Sequence, residues 1–288
     1  MTIKSILVPL AGSSIDEVAL KSAIVVAKQF DAHVEGLHIR ISADEASNFV
    51  SSRLDTALYA QVIEKLQVQI GQEEQEARRS FEAFIEQSGL RMASEPSEAT
   101  GPSASWRSMT GDPVDIIAHS GGAFDLIVAS HPALGSEATP RPVLDTAIFN
   151  TARPVLLASN EATSRIGETV LLAWNRGIQA GRALISAVSF LQSASKVVVL
   201  MVTTGAKQGP EPEEIVANLA WHNVDAEVKK LPPDHRSVGE VLLDEAAEIG
   251  ADLLVMGAYS QNRLRDRMPG GVTKAILARA NLPVLMAR

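Results

Sequence analysis

The sequence predicts an α/β protein of two tandem doubly wound domains. Each is expected to hold a five-stranded, mainly parallel sheet in the order 3-2-1-4-5, flanked by helices. Two observations carry this. Short apolar runs rich in Val, Ile and Leu, without polar alternation, alternate with helix-length amphipathic stretches, the signature of βαβ units around a buried parallel sheet. The chain also repeats itself: residues 125–158 align with residues 252–287, each reading as strand, loop, short helix and a strand opened by Arg153-Pro154 or Leu282-Pro283.

The elements follow in order. Lys4-SILVPL is a first strand, and Asp16 to Phe30 a helix with Val18, Ala19, Ala23, Val26 and Ala27 on one stripe. His33-VEGLHI is a second strand. Residues Ile41 to Gly89 carry a long helical insertion (about 42–100 with its flanks), with Leu54, Leu58, Val62, Leu66 and Ile70 at near-regular fours, then Phe81, Phe84 and Ile85. Glu95 to Ser105 has the composition of a mobile loop, and Ser103 to Met109 is a weak third strand. Gly111-Asp112-Pro113 starts the helix that leads to Asp125-LIVA, proline being well placed just inside a helix start. Asn160 to Gly167 reads as a linker, which divides the chain into domains at 1–160 and 166–288.

The second domain repeats the plan with Thr169-VLLAW, a helix over about 179–192, Lys196-VVVLMV, Val224-DAEVKKL, a helix over 238–249, Asp252-LLVM and Leu282-PVLMA. No apolar run approaches the 18 residues of a membrane span. No cysteine is present, which excludes disulfides and a thiol nucleophile. Net charge is −8, all of it from residues 1–165, where 21 acidic residues face 13 basic ones; residues 166–288 balance at 13 each. That balance, with few aromatics, argues against nucleic acid as a partner. The expected location is the cytoplasm.

A doubly wound sheet binds ligands beyond the carboxyl ends of its strands, where strand order reverses. In the second domain those ends are Ala173-Trp174-Asn175-Arg176-Gly177 and Met256-Gly257-Ala258-Tyr259-Ser260. Gly270 and Gly271 precede the last helix, so its first N–H groups face outward without obstruction and suit a phosphate. Ser260 and Thr273 offer hydroxyls, and Arg263 or Arg265 positive charge. The alternative is that these glycines only make a tight turn into the helix. In the first domain Ala129-Ser130-His131 and Arg141-Pro142 stand at the corresponding places, and proline removes a donor. His131 reads as an ordinary loop histidine. No metal motif or placed nucleophile and base is visible among the six histidines and the carboxylates.

These pieces resemble the universal stress protein family in tandem. The residues that carry the resemblance are Ile6-LVPLAGS, Gly111-Asp112-Pro113, Asp125-LIVAS and Arg153-PVLLAS, then Val170-LLAWN, Asp252-LLVMGAYS, Gly270-GVTKAIL and Leu282-PVLMAR. Nucleotide-binding members carry G-x2-G-x9-G-[ST] and an aspartate after the first strand. Here Gly257, Ser260 and Gly270 take the three glycine positions, Gly271 the hydroxyl position and Asn175 that of the aspartate, while Thr273 keeps a hydroxyl two places on. Val202 matches the position whose backbone meets the adenine. The resemblance implies a non-enzymatic stress-response protein that binds ATP or AMP in the second domain only, with no metal beyond a magnesium ion accompanying the nucleotide. It also implies an intramolecular pseudo-dimer through the fifth strands, Pro154-VLLA and Pro283-VLMA, with a homodimer and an unidentified protein partner as further expectations. The alternatives are a nucleotide-independent scaffold of the same fold and a weak ATP hydrolase.

Overall fold

In the computed structural model the described residues are 2–10, 16–40, 56–98, 101–132, 134, 139–159, 164–204, 209–258 and 271–288. The first half runs β1 (Ser5–Leu10), α1 (Asp16–Phe30), β2 (His33–Arg40), α2 (Thr56–Gln87), β3 (Arg91–Met92), β4 (Ser103–Thr110), α3 (Pro113–Ser120), β5 (Leu126–Ser130), α4 (Arg141–Asn150) and β6 (Val155–Ala158). The second half runs β7 (Thr169–Ala173), α5 (Ile178–Ser193), β8 (Lys196–Val202), α6 (Pro212–Ala220), β9 (Glu227–Leu231), α7 (Val238–Glu248), β10 (Leu253–Gly257), α8 (Gly271–Arg279) and β11 (Val284–Ala287).

The strands form one sheet in the order β3-β4-β2-β1-β5-β6-β11-β10-β7-β8-β9. The expected 3-2-1-4-5 order is present in each half, with two differences. The halves share a continuous sheet, and a two-residue strand, β3, adds itself outside β4. Within each half the ladders are parallel; at the junction β6 and β11 pair antiparallel, Val155 with Met286, Leu156 with Leu285 and Leu157 with Val284. Every residue of β6 and β11 is buried, which is why these strands carry no polar alternation.

The repeat is also visible in how each half fastens its first strand. Asp125 Oδ2 accepts from the amides of Lys4 at 2.9 Å and Ser5 at 3.0 Å. Asp252 does the same for Glu168 at 3.0 Å and Thr169 at 2.7 Å. At the start of α3, Asp112 Oδ1 accepts from Val114 N at 2.7 Å and Asp115 N at 3.3 Å, an N-cap completed by Pro113.

Both faces of the sheet carry a core that spans the two halves. On one face α1, the C-terminal third of α2, α5 and α6 bury Ala23, Phe81, Ile85, Phe190 and Leu219. On the other, α3, α4, α7 and α8 bury Ile117, Leu144, Leu242 and Ile276. Phe30 and Phe190 meet edge to face across the halves at 5.0 Å. The insertion settles on the sheet where Phe81 lies over Gly36, at which a Cβ would fall 2.6 Å from the ring.

Three expectations change. The loop that starts near Glu95 ends by Pro102, because Ser103 and Ser105 bond the two ring nitrogens of His33, each at 2.8 Å, and pair with β2. The described end of the linker docks: Ile166 is buried and its amide reaches Gln29 Oε1 at 3.5 Å. Helix α6 was not anticipated, although Glu211 and Glu214 form a capping box around Pro212. Residues 41–55, including Leu54 of the insertion stripe, lie outside the described residues.

Because both cores cross the junction, truncating it should weaken the whole chain at once. Leu285→Ala is expected to cost about 3 kcal/mol and to lower the urea midpoint of a single transition; two separated transitions would show that the halves unfold independently.

Candidate functional site

Strand order in the second half reverses between β7 and β10, where Ala173 pairs with Met256. Beyond β7 the chain keeps one more ladder bond, Trp174 N to Leu200 O at 2.8 Å, and then turns. Asn175 is exposed at the edge, its Oδ1 accepting from Gly177 N at 2.9 Å in an Asx turn. Arg176 follows with φ +62°, and Gly177 opens α5 without a side-chain cap. Val202, the last residue of β8, is half-buried on the neighbouring strand.

The segment before α6 lies against this turn. Trp174 Nε1 donates to Pro210 O at 3.0 Å, and the Arg176 guanidinium pairs with Glu211. Gly209, at φ +142°, brings its backbone so close to Arg176 that a Cβ would sit 2.7 Å from the Arg176 carbonyl oxygen. The hydrogen bond from Arg176, helped by its charge and that of Lys230, holds the Glu211 carboxyl below the ordinary range. Arg176 stood in the expected strand-end segment without a role, while Gly209 and Glu211 were missed in the sequence; the Gly-Pro-Glu-Pro-Glu run at 209–213 is the signal that could have found them.

The expected ligand residues take different positions. Val202 and Gly257 end β8 and β10, and Asn175 follows the end of β7 by two residues, so all three stand at the carboxyl ends of neighbouring strands. Gly257, however, is occupied by the protein: a Cβ there would lie 2.6 Å from Ala180 N and from the Gln179 carbonyl carbon, so its bareness admits the first turn of α5. Gly271 is the opposite case, exposed at the start of α8 with no atom of the described residues within 4 Å of where a Cβ would stand. Thr273 is 3% exposed and belongs to the seat of α8. Ser260, Gly270, Arg263 and Arg265 lie outside the described residues. The edge thus gathers two helix starts, α5 and α8, whose early N–H groups favour negative charge.

The corresponding edge of the first half is filled. The Ser130 amide donates to Thr139 Oγ1 at 2.9 Å, taking up a strand-end donor. Pro140 and Pro142 begin α4, and Arg141 turns aside to Asp145 at 2.8 Å. His131 is no loop histidine: it is 1% exposed, its amide bonds Ala158 O, and its ring meets the backbone of Ile276 in α8. Burial pushes its pKa down to about 4, against the opposing pull of that backbone bond. Among the described residues no cluster of three His, Asp or Glu could hold a metal, and no helix is long and apolar enough to cross a membrane.

Residues 168–288 match the model of the universal stress protein family. No curated protein matches the chain. Among solved structures, a universal stress protein from Archaeoglobus fulgidus DSM 4304 has a TM-score of 0.73 at 14% identity, covering 100% of this chain and 99% of that one. A protein of Pseudomonas aeruginosa PAO1 described as functionally unknown has a TM-score of 0.52 at 19% identity, covering 99% and 92%. At these identities the likeness is one of fold.

Two measurements test this geometry. Gly257→Ala should drive a methyl into the first turn of α5 and cost about 2 kcal/mol of stability; an unchanged urea midpoint would mean that this glycine serves only a ligand. His131 stays neutral in the folded chain down to about pH 4 but gains a proton near pH 6.5 when unfolded. Its contribution is therefore complete above pH 6.5 and lost as pH falls toward 4, by up to about 1.4 kcal/mol per pH unit. His33 and His38 are also lowered by burial, so the test is the difference between wild type and His131→Asn, which should have the shallower loss between pH 7 and 4.5.

Proposed function

We propose that the chain is a tandem universal stress protein whose second half binds an adenine nucleotide, ATP or AMP, as a signal or stabiliser and without turning it over. The observation that carries this is the reversal of strand order between β7 and β10: Asn175 is exposed beyond β7 and Gly271 is exposed at the start of α8, inside the segment that matches the family model. The adenine would lie near Asn175 and Val202. The phosphates would lie over Ser260, Gly270 and Gly271, at the positive end of α8; Thr273, being buried, would support that helix rather than reach the ligand. Asn175 offers a donor and an acceptor but no charge, so the ribose or base would be held by hydrogen bonds alone.

A nucleotide-independent scaffold is the second reading, and the filling of Gly257 by α5 favours it. Calorimetric titration with ATP, ADP and AMP separates the two. One nucleotide per chain is expected, with Gly271→Pro abolishing binding by removing an N–H at the start of α8. No heat at millimolar nucleotide would rule the proposal out in favour of the scaffold.

A further inference from the structure

The turn that carries Asn175 is held from outside its own strand and helix. Trp174 and Arg176, the residues on either side of Asn175, are both fastened to the stretch that enters α6. Trp174 Nε1 donates to Pro210 O at 3.0 Å, and the Arg176 guanidinium pairs with the Glu211 carboxylate. Between these two contacts Asn175 is exposed, its Oδ1 accepting from Gly177 N at 2.9 Å.

The backbone of the turn needs this hold. Arg176 has φ +62°, in the left-handed region that a residue with a Cβ enters at a cost and keeps only where its surroundings impose it. Gly209 presses on it from one side: a Cβ at Gly209 would stand 2.7 Å from the Arg176 carbonyl oxygen and 2.8 Å from the Arg176 Cβ. Glu211 is itself anchored twice. Besides Arg176 it meets Lys230 Nζ on β9 at 3.6 Å, and that ammonium also lies 2.8 Å from Glu213. β8 runs between β7 and β9 in the sheet, with Met201 in register with Lys230. One carboxylate therefore ties the turn beyond β7 to β9 across the end of β8, where Val202 stands. The Arg176 side chain is 17% exposed and that of Glu211 45%, so the pair is only partly shielded from water.

We infer that Glu211 is a positioning residue for the second half's site: with Gly209 and Pro210 it holds the 174–177 turn in its left-handed form and so fixes where Asn175 meets a ligand. The binding consequence rests on the nucleotide reading, whereas the hold on the turn can be read without ligand. It also gives the Gly-Pro-Glu run at 209–211 a purpose beyond starting α6.

The test follows a proton that reports the hold directly. The chain has three tryptophans, so the indole N–H of Trp174 can be resolved by NMR, with that of Trp221, 88% exposed, as the unprotected reference. Without nucleotide, Trp174 should exchange more slowly than Trp221 in wild type. Glu211→Gln, which keeps the length and an acceptor but removes the charge, should speed Trp174 exchange about three-fold, the worth of a part-exposed ion pair. Gly209→Ala, which drives a methyl against Arg176, should do so at least as strongly. Amides 215–220 of α6 should keep their wild-type rates in both variants. Titration with adenosine and with ATP reads the consequence: both Kd values should rise by the same factor, about three-fold, because Asn175 serves the base or ribose and not the phosphates. Unchanged Trp174 exchange in Glu211→Gln, or an equal acceleration throughout α6, would overturn the hold. A loss for ATP alone would overturn the positioning role, since the ion pair would then act on the phosphates. If Gly209→Ala does not fold, Glu211→Gln decides by itself. If wild type binds neither compound while Trp174 responds as expected, the hold stands and the nucleotide reading fails.

Discussion

The antiparallel pairing of β6 with β11 is the constraint on which the rest of the molecule depends. Both strands are short, apolar and fully buried, so neither could be left at an edge without a partner. Pairing them antiparallel turns the second half around relative to the first. The carboxyl ends of the two sets of strands then lie on opposite edges of one sheet.

The two copies resolve that situation differently. In the first half the crevice has been closed by the chain itself: a threonine hydroxyl takes a strand-end amide, prolines open the helix, and a histidine is buried against α8. In the second half small residues stand at the same places, Gly257 and Ala258 at the strand end and Gly271 at the helix start. The small residues do not all serve one purpose. Gly257 admits a helix turn, while no described residue crowds Gly271.

Strands buried on both faces were legible because their composition has no competing reading; β1, β5, β7, β8, β10 and β11 all appear as apolar runs. Strand β4, SASWRSMT, was faint because its polar residues are used inside the sheet, two serines on His33 and Arg107 beside Glu35 at 2.7 Å. Strand β3 has two residues and no pattern to read. At the site, the topological argument located the edge, but not the function of its residues. The crowding at Gly257 comes from Gln179 and Ala180, far away in sequence, and the Phe30–Phe190 contact crosses between the halves. Such contacts leave no local periodicity, and only the folded arrangement reveals them.

The outer edges explain why the sheet stops where it does. β9 ends one side with Lys229 and Lys230 on adjacent positions, and both are already engaged. Lys229 reaches Glu245 at 2.7 Å, and Lys230 reaches Glu213 at 2.8 Å. A further strand added there would have to accommodate these lysines and the carboxylates that hold them, a common device against edge-to-edge association. At the other side β3 offers only two residues to a neighbour. The apolar edges of the two halves have been joined to each other inside one chain. The partner surface that the fold needs most is already present within the chain.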